Sequence, residues 1–264
     1  MIQIQNEMYY TLVTGASSGI GYELALLFAK NGHNLILVAR QKSKILNLAA
    51  ELKKKYTVDI AVISIDLSQA NCAVEIFRQV QLKALHVNYL VNNAGFYIKG
   101  AFSETSWEKE QELIYLQCLN HTHLIKLFLP AILKQGKGGI LNVCSTGSFT
   151  PGPFNAIYCA AKSFMLSFSE ALAEEVAGSG VTITALCPGG TKTSFQDFSN
   201  RKRSFFNPIM DASIVAKAGF HALMKGKNVV IPGISNKIQV FIIRFLPRFL
   251  VRKLAGKFIE QKHK

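Results

Sequence analysis

Thr14-Gly15-Ala16-Ser17-Ser18-Gly19-Ile20-Gly21 follows directly on the apolar run Tyr9–Thr14 and leads straight into helically spaced apolar residues over Ile20–Lys30. A strand that ends in a glycine-rich turn and restarts as a helix leaves unpaired N–H groups at the helix N-terminus. Those groups and the helix dipole favour an anion just beyond the strand. Glycines at 15, 19 and 21 permit the tight turn and let a pyrophosphate approach the backbone closely. The spacing carries one residue more between the first two glycines than G-x-G-x-x-G. A turn of this composition can also be merely structural, and its place between a strand and a helix is what gives it weight.

Outward from this turn the same alternation continues. Strand-like runs occupy Tyr9–Thr14, Asn34–Ala39, Ile60–Ile65, Tyr89–Asn92, Gly139–Cys144, Val181–Cys187 and Asn228–Ile231. Helical spacing fills segments between them, such as Ser43–Tyr56 and Tyr158–Ala177. Strand and helix alternating so regularly predict an α/β fold: a doubly wound parallel sheet of about seven strands with helices on both faces. The 264 residues read as a single Rossmann-type domain with a C-terminal helical extension over 235–264. Hydrophobic residues make up 49% and charged residues 17%, enough for a large core and against disorder. No apolar run reaches the roughly 18 residues that span a bilayer. The first seven residues lack the basic start and apolar stretch of a secretory signal, so a cytoplasmic protein is expected. Cys72, Cys118, Cys144, Cys159 and Cys187 show no paired spacing, which predicts reduced thiols, no disulfide and no metal site.

Sheets of this kind bind ligands beyond the carboxyl ends of their strands. After the second strand stands Arg40, with Lys42 and Lys44 nearby, where an acidic residue would bind the ribose hydroxyl of NAD. A cation there suits the 2′-phosphate of NADP, so NADP(H) is preferred over NAD(H); a solvated basic loop is the plainer alternative. Asp66-Leu67 after the third strand suits the adenine end, and Asn92-Asn93-Ala94-Gly95 after the fourth can flank the cofactor, with Asn92, Ala94 and Gly95 as contacts. After the fifth comes Ser145, followed by Tyr158 and Lys162, four apart and so on one helical face. An ammonium near a phenol lowers its pKa from about 10, and such a phenol can exchange a proton with an alkoxide. Ser145 would donate to the substrate oxygen. After the sixth strand Pro188-Gly189-Gly190 makes a turn, with Thr191 and Thr193 next to it and Thr193 suited to a nicotinamide carboxamide.

In this order and spacing, the glycine turn, Asn92–Gly95, Ser145, Tyr158, Lys162 and Pro188-Gly189 resemble the short-chain dehydrogenase/reductase family, roughly over Tyr9 to Gly233. The resemblance implies hydride transfer between nicotinamide and a carbonyl or secondary alcohol. Tyr158 is then the general acid and base, and Lys162 also holds the nicotinamide ribose. It places Gly15, Ser17, Ser18, Gly19, Ile20 and Gly21 on the cofactor and Arg40 at the position that selects NADP. It also implies a homodimer or homotetramer. The family asparagine that completes a catalytic tetrad falls, counted back from Leu129-Pro130, on Gln117, with Asn120 one turn further on. That departure leaves room for a catalytically weak NADP-binding protein.

The segment 194–210 corresponds to the family's substrate lid. Its Phe195, Phe198, Phe205 and Phe206 suggest an apolar substrate, steroid-like or acyl, while Arg201, Lys202 and Arg203 fit a phosphate-bearing carrier or a solvated face. The formal charge of +14 attracts any anion, yet no nucleic-acid-binding motif is present. Much of it sits in the extension, where Phe241, Phe245 and Phe249 form one stripe and Arg244, Arg248 and Arg252 another, interrupted by Pro247. Such a stripe packs on the chain's own core or on a second subunit, or makes peripheral contact with a membrane.

Overall fold

Alternation along each central strand sends side chains to two opposite cores, and helices close both. The structure, a computed structural model, describes residues 8–193 and 209–260. In chain order the strands are β1 (Tyr9–Thr14), β2 (Asn34–Ala39), β3 (Ile60–Ser64), β4 (His86–Asn92), β5 (Gly138–Val143), β6 (Val181–Leu186), β7 (Gly190–Lys192), β8 (Ile209–Asp211) and β9 (Val229–Val230). Seven of them form one parallel sheet in the order β3-β2-β1-β4-β5-β6-β9, and β7 pairs with β8 apart from it. The helices are α1 (Gly19–Lys30), α2 (Lys42–Lys55), α3 (Cys72–Leu82), α4 (Trp107–Ile114), α5 (His121–Gln135), α6 (Ala156–Glu175), α7 (Ala212–Met224), α8 (Ile234–Phe245) and α9 (Arg248–Glu260).

Leu12, Ile36 and Val38 face one core, with Ile76 of α3, Phe128 of α5 and Met165 of α6. Their neighbours Val13, Leu35 and Leu37 face the other, with Phe28 of α1, Leu48 of α2 and Phe220 of α7. Because both faces are covered, β1 and β2 are apolar almost throughout. The parallel sheet and single α/β domain read from the alternation are the fold observed. β1 and β2 have the bounds expected from the sequence. β4 starts three residues early, because Tyr9 pairs with His86 before the apolar pattern begins.

Strand order reverses between β1 and β4, which opens a crevice at their carboxyl ends. A buried polar chain braces the floor beneath it. Asn92 Nδ2 donates to Asn142 Oδ1 at 3.0 Å, Asn142 Nδ2 to Ser169 Oγ at 2.8 Å, and Ser169 to the Met165 carbonyl at 2.6 Å. β4, β5 and α6 are thereby tied together where the sheet must hold a site.

Candidate functional site

One cavity of about 1100 Å³ lies in this crevice. Gly15, Ser17, Ser18, Gly19 and Ile20 line one side and Arg40, Asp66 and Leu67 its outer end. Ala94 and Gly95 follow, then Ser145, Tyr158 and Lys162, and Pro188, Gly189, Thr191 and Thr193 opposite. Residues from six strand ends, distant in sequence, thus meet around a single space.

The glycine turn takes its shape from its neighbours. Gly15 has φ +66°, and a Cβ there would stand 2.8 Å from the Ala94 Cα, so the turn runs directly against β4. Gly15 N–H donates to the Val38 carbonyl at 2.8 Å. Thr14 Oγ1 donates to the Val91 carbonyl and accepts from the N–H groups of Asn93 and Ala94, while Asn93 Nδ2 donates to the carbonyls of Thr14 and Gly15. Thr14 and Asn93 therefore clamp the turn to the crevice. From the sequence both belong to motifs beside the cofactor, but the clamp they form together is seen only in the fold.

At the outer end the Arg40 guanidinium lies 3.6 Å from Asp66 and is 67% exposed. Gln41 and Lys44 also line the cavity, and Lys42 does not. Asp66 is occupied locally as well, accepting from Ser68 N–H at 2.9 Å and Ser68 Oγ at 2.8 Å.

At the inner end Ser145 accepts from Gly147 N–H at 3.0 Å inside a short helical turn, Thr146–Phe149, which holds its hydroxyl at the cavity wall. Tyr158 and Lys162 share a face of α6, as their spacing requires. The Tyr97 ring meets Tyr158 edge-on at 5.5 Å, a contact with no sequence signal. Burial pushes the Tyr158 phenol well above its ordinary value, a hydrogen bond with Ser145 opposes this, and the Cys159 and Cys144 thiols add to the rise. Lys162 is buried and donates to the Val143 carbonyl at 2.7 Å, its Nζ 5.7 Å from the Tyr158 ring centre. Lys162 is committed to a backbone carbonyl, and burial gives the phenol's shift its upward direction, opposite to the lowering expected from Lys162.

Three further expectations are corrected. Asn92, assigned to the cofactor, points into the core network, and Asn93 is the asparagine facing the cavity. Gly21 lies outside the cavity wall, its missing side chain letting α1 close on the Gly15 carbonyl. Gln117, placed at the tetrad position, is fully buried behind the site, where its Nε2 donates to the Phe96 carbonyl at 2.7 Å. It sits in a π-helical segment, Tyr115–Asn120, between α4 and α5. Its Oε1 has no partner among the described residues. Asn120 holds the carbonyls of Leu67 and Gln69 and is not a substitute for it. The sequence predicts that Gln117→Asn leaves activity unchanged or raises it; the shorter amide also fails to reach the Phe96 carbonyl, so the variant loses about 1–2 kcal/mol of stability in denaturant unfolding.

Beneath Lys162, the buried His121 is held down to about 3, first by burial and then by the Lys162 charge. The unfolded imidazole takes a proton below its usual 6.5 while the folded one does not, so stability is full above that pH and falls below it. Between pH 7 and pH 5 the loss is about 2 kcal/mol. His33, also lowered by burial, adds to it. Most of this loss disappears in His121→Leu, as denaturant midpoints at the two pH values would show.

Phe195, Phe198, Phe205, Phe206, Arg201, Lys202 and Arg203, expected on a substrate lid, lie outside the described residues.

Comparison with known proteins agrees with this arrangement. The family described as short chain dehydrogenase matches residues 10–204. The very-long-chain 3-oxoacyl-CoA reductase of Pyrenophora tritici-repentis is 35% identical over 178 residues, 66% of this chain and 52% of that one. Its counterpart in Anas platyrhynchos is 28% identical over 258 residues, 96% of this chain and 80% of that one. The chain spans about half the length of the Pyrenophora tritici-repentis relative and of its counterpart in Phaeosphaeria nodorum. Among solved structures, a 7β-hydroxysteroid dehydrogenase superposes with a TM-score of 0.86 at 25% identity, over 94% of this chain and 96% of that one. A short-chain dehydrogenase from Sphingobium yanoikuyae in complex with NADPH gives 0.78 at 28%, over 90% and 96%. With the strand order, the clamped glycine turn and the Ser145–Tyr158–Lys162 floor in one crevice, these matches establish that the chain belongs to the short-chain dehydrogenase family.

Proposed function

We propose that the chain is an oxidoreductase that interconverts an apolar ketone and its secondary alcohol with NADP(H), Tyr158 exchanging the proton. The observation that carries this reading is the single cavity running from Arg40 at its rim to the hydrogen-bonded Ser145–Tyr158 pair on its floor. The residues fit the dinucleotide. Gly15 and Gly19 leave a bare backbone cradle at the start of α1, where a Cβ on Gly19 would meet the Thr193 methyl at 2.8 Å, and helix N–H groups there favour a pyrophosphate. Arg40 and Lys44, both on the cavity wall, would hold the 2′-phosphate, Asp66 and Leu67 would flank the adenine, and Thr193 would hold the carboxamide. When bound, NADPH supplies the hydride.

The chain's own residues manage the proton. Ser145 donates to the substrate oxygen and orients it toward Tyr158, which donates to the alkoxide as it forms. Burial raises the phenol, so it is held in the protonated form that donates to the alkoxide. Lys162 keeps α6 fastened to β5 through the Val143 carbonyl under the site. The apolar wall of Val240, Ile243, Leu246 and Val251 suits a ring system or acyl chain. The names of the relatives, 3-oxoacyl-CoA reductase and hydroxysteroid dehydrogenase, name these two classes.

The test is NADPH oxidation with steroid ketones, 3-oxoacyl thioesters, simple aldehydes and quinones. Turnover on the first or second group supports the reading and separates rings from chains. Tight NADPH binding without turnover on any of them supports the second reading, a catalytically weak NADP-binding protein, which the burial of Gln117 behind Phe96 favours.

A further inference from the structure

The two sides of α8 are made differently. On the inner side Ser235, Asn236 and Val240 are buried. Asn236 donates to the Pro232 carbonyl at 2.7 Å and presses on Gly189, where a Cβ would stand 2.6 Å from its Oδ1. The helix is thus seated on the turn that follows β6. On the outer side Ile234, Ile238, Phe241, Ile242 and Phe245 are all exposed, Phe241 by 62% and Phe245 by 73%. At helical spacing these five fall within an arc of about 100°, and Lys237 and Arg244, both exposed, border it. The Phe241 and Phe245 rings lie against each other at 5.0 Å. Past Pro247, α9 carries on with exposed Phe249, Leu250 and Leu254 beside exposed Arg248, Arg252 and Lys253. Among the described residues, the phenylalanine stripe does not pack on the chain's own core.

Charge selects what covers this face. The sequence has no acidic residue between Asp211 and Glu260. Two copies meeting through it would bring like charges together with no carboxylate between them, which opposes self-association. An anionic bilayer satisfies both halves of the pattern, taking rings and aliphatic chains at the acyl boundary and Lys and Arg against phosphates. No helix among the described residues is long and apolar enough to cross a membrane, so the contact lies in the interface plane. The same elements also wall the cavity. Ile242 and Leu254 are each 47% exposed and line it, and Ile243 and Leu246 line it between them.

The geometry points to the α8–α9 face as a docking surface for an anionic lipid bilayer, with the cavity rim at Ile242 and Leu254 opening toward the leaflet. An apolar carbonyl compound dissolved in the leaflet then enters the cavity without crossing water. Docking stands on the surface alone, and substrate entry rests on the function proposed above.

The experiment is flotation of the full chain with phosphatidylcholine vesicles, with and without phosphatidylserine. The expected result is at least about tenfold tighter binding to the anionic vesicles, weakened by salt. Phe241→Glu with Phe245→Glu lowers that binding at least about tenfold. Neither residue lines the cavity, so turnover of a water-soluble carbonyl stays at the wild-type level while turnover of a vesicle-held ketone falls. Equal binding to neutral and anionic vesicles, or undiminished binding by the double variant, overturns docking. So does a wild-type dimer that the double variant converts to monomer, since a second copy would then cover the face. Failure of every carbonyl to turn over defeats the proposed activity and leaves the flotation result to judge docking separately.

Discussion

Tyr158→Phe is expected to lower turnover by about a thousandfold or more while NADPH binding changes by less than about threefold. Proton transfer by a positioned side chain contributes roughly 10²–10⁴-fold, and among the described residues lining the inner end Tyr158 is the phenol hydrogen-bonded to Ser145. Tyr97, the other tyrosine there, meets Tyr158 through its ring. The substitution removes one oxygen and keeps the ring, so the edge-on contact and the start of α6 survive. Stopped-flow turnover and fluorescence titration of NADPH measure the two halves independently. Undiminished turnover would remove Tyr158 from the proton step, and a loss of NADPH binding as large as that of turnover would make it a binding residue instead.

Arg40→Asp is expected to weaken NADPH binding by about a hundredfold and NADH binding by less than about threefold. A charge-assisted contact to a phosphate is worth about 1.5–3 kcal/mol, and the introduced carboxylate repels the same group. The Arg40 guanidinium is largely exposed, with Asp66 at 3.6 Å, so its loss disturbs little of the fold. The new carboxylate also faces Asp66, which adds to the local negative charge. Titration of both cofactors against wild type and variant decides the matter. Equal weakening would show Arg40 acting on the shared part of the dinucleotide, and the 2′-phosphate argument would be wrong.

The difference between what was legible and what was not follows the range of the interactions. The glycine turn, the strand-helix alternation and the shared face of Tyr158 and Lys162 depend on residues within about four positions of one another, where backbone geometry is regular enough to read directly. Asn92 and Asn93 show the limit. Both are asparagines at one strand end, but β-strand alternation sends one into the core network and the other to the crevice, and only the paired neighbours decide which. Gln117 could be counted to its position, yet its partner Phe96 lies 21 residues away and reaches it through the loop after β4. The direction of the phenol's shift has the same origin: the spacing of Tyr158 and Lys162 is a local fact, whereas the desolvation that raises the phenol is made by the whole packed site.

By itself the sequence determined the α/β class, the parallel sheet, the crevice at its carboxyl ends and the residues that could serve there, because periodicity and turn chemistry are local. The tertiary structure alone decided which of those residues face the cavity, in which direction burial shifts Tyr158 and His121, and that the aromatic stripe of α8 is turned to the outside. Each of these depends on side chains brought together from distant parts of the chain, where packing and exclusion of water, not spacing, set the energy.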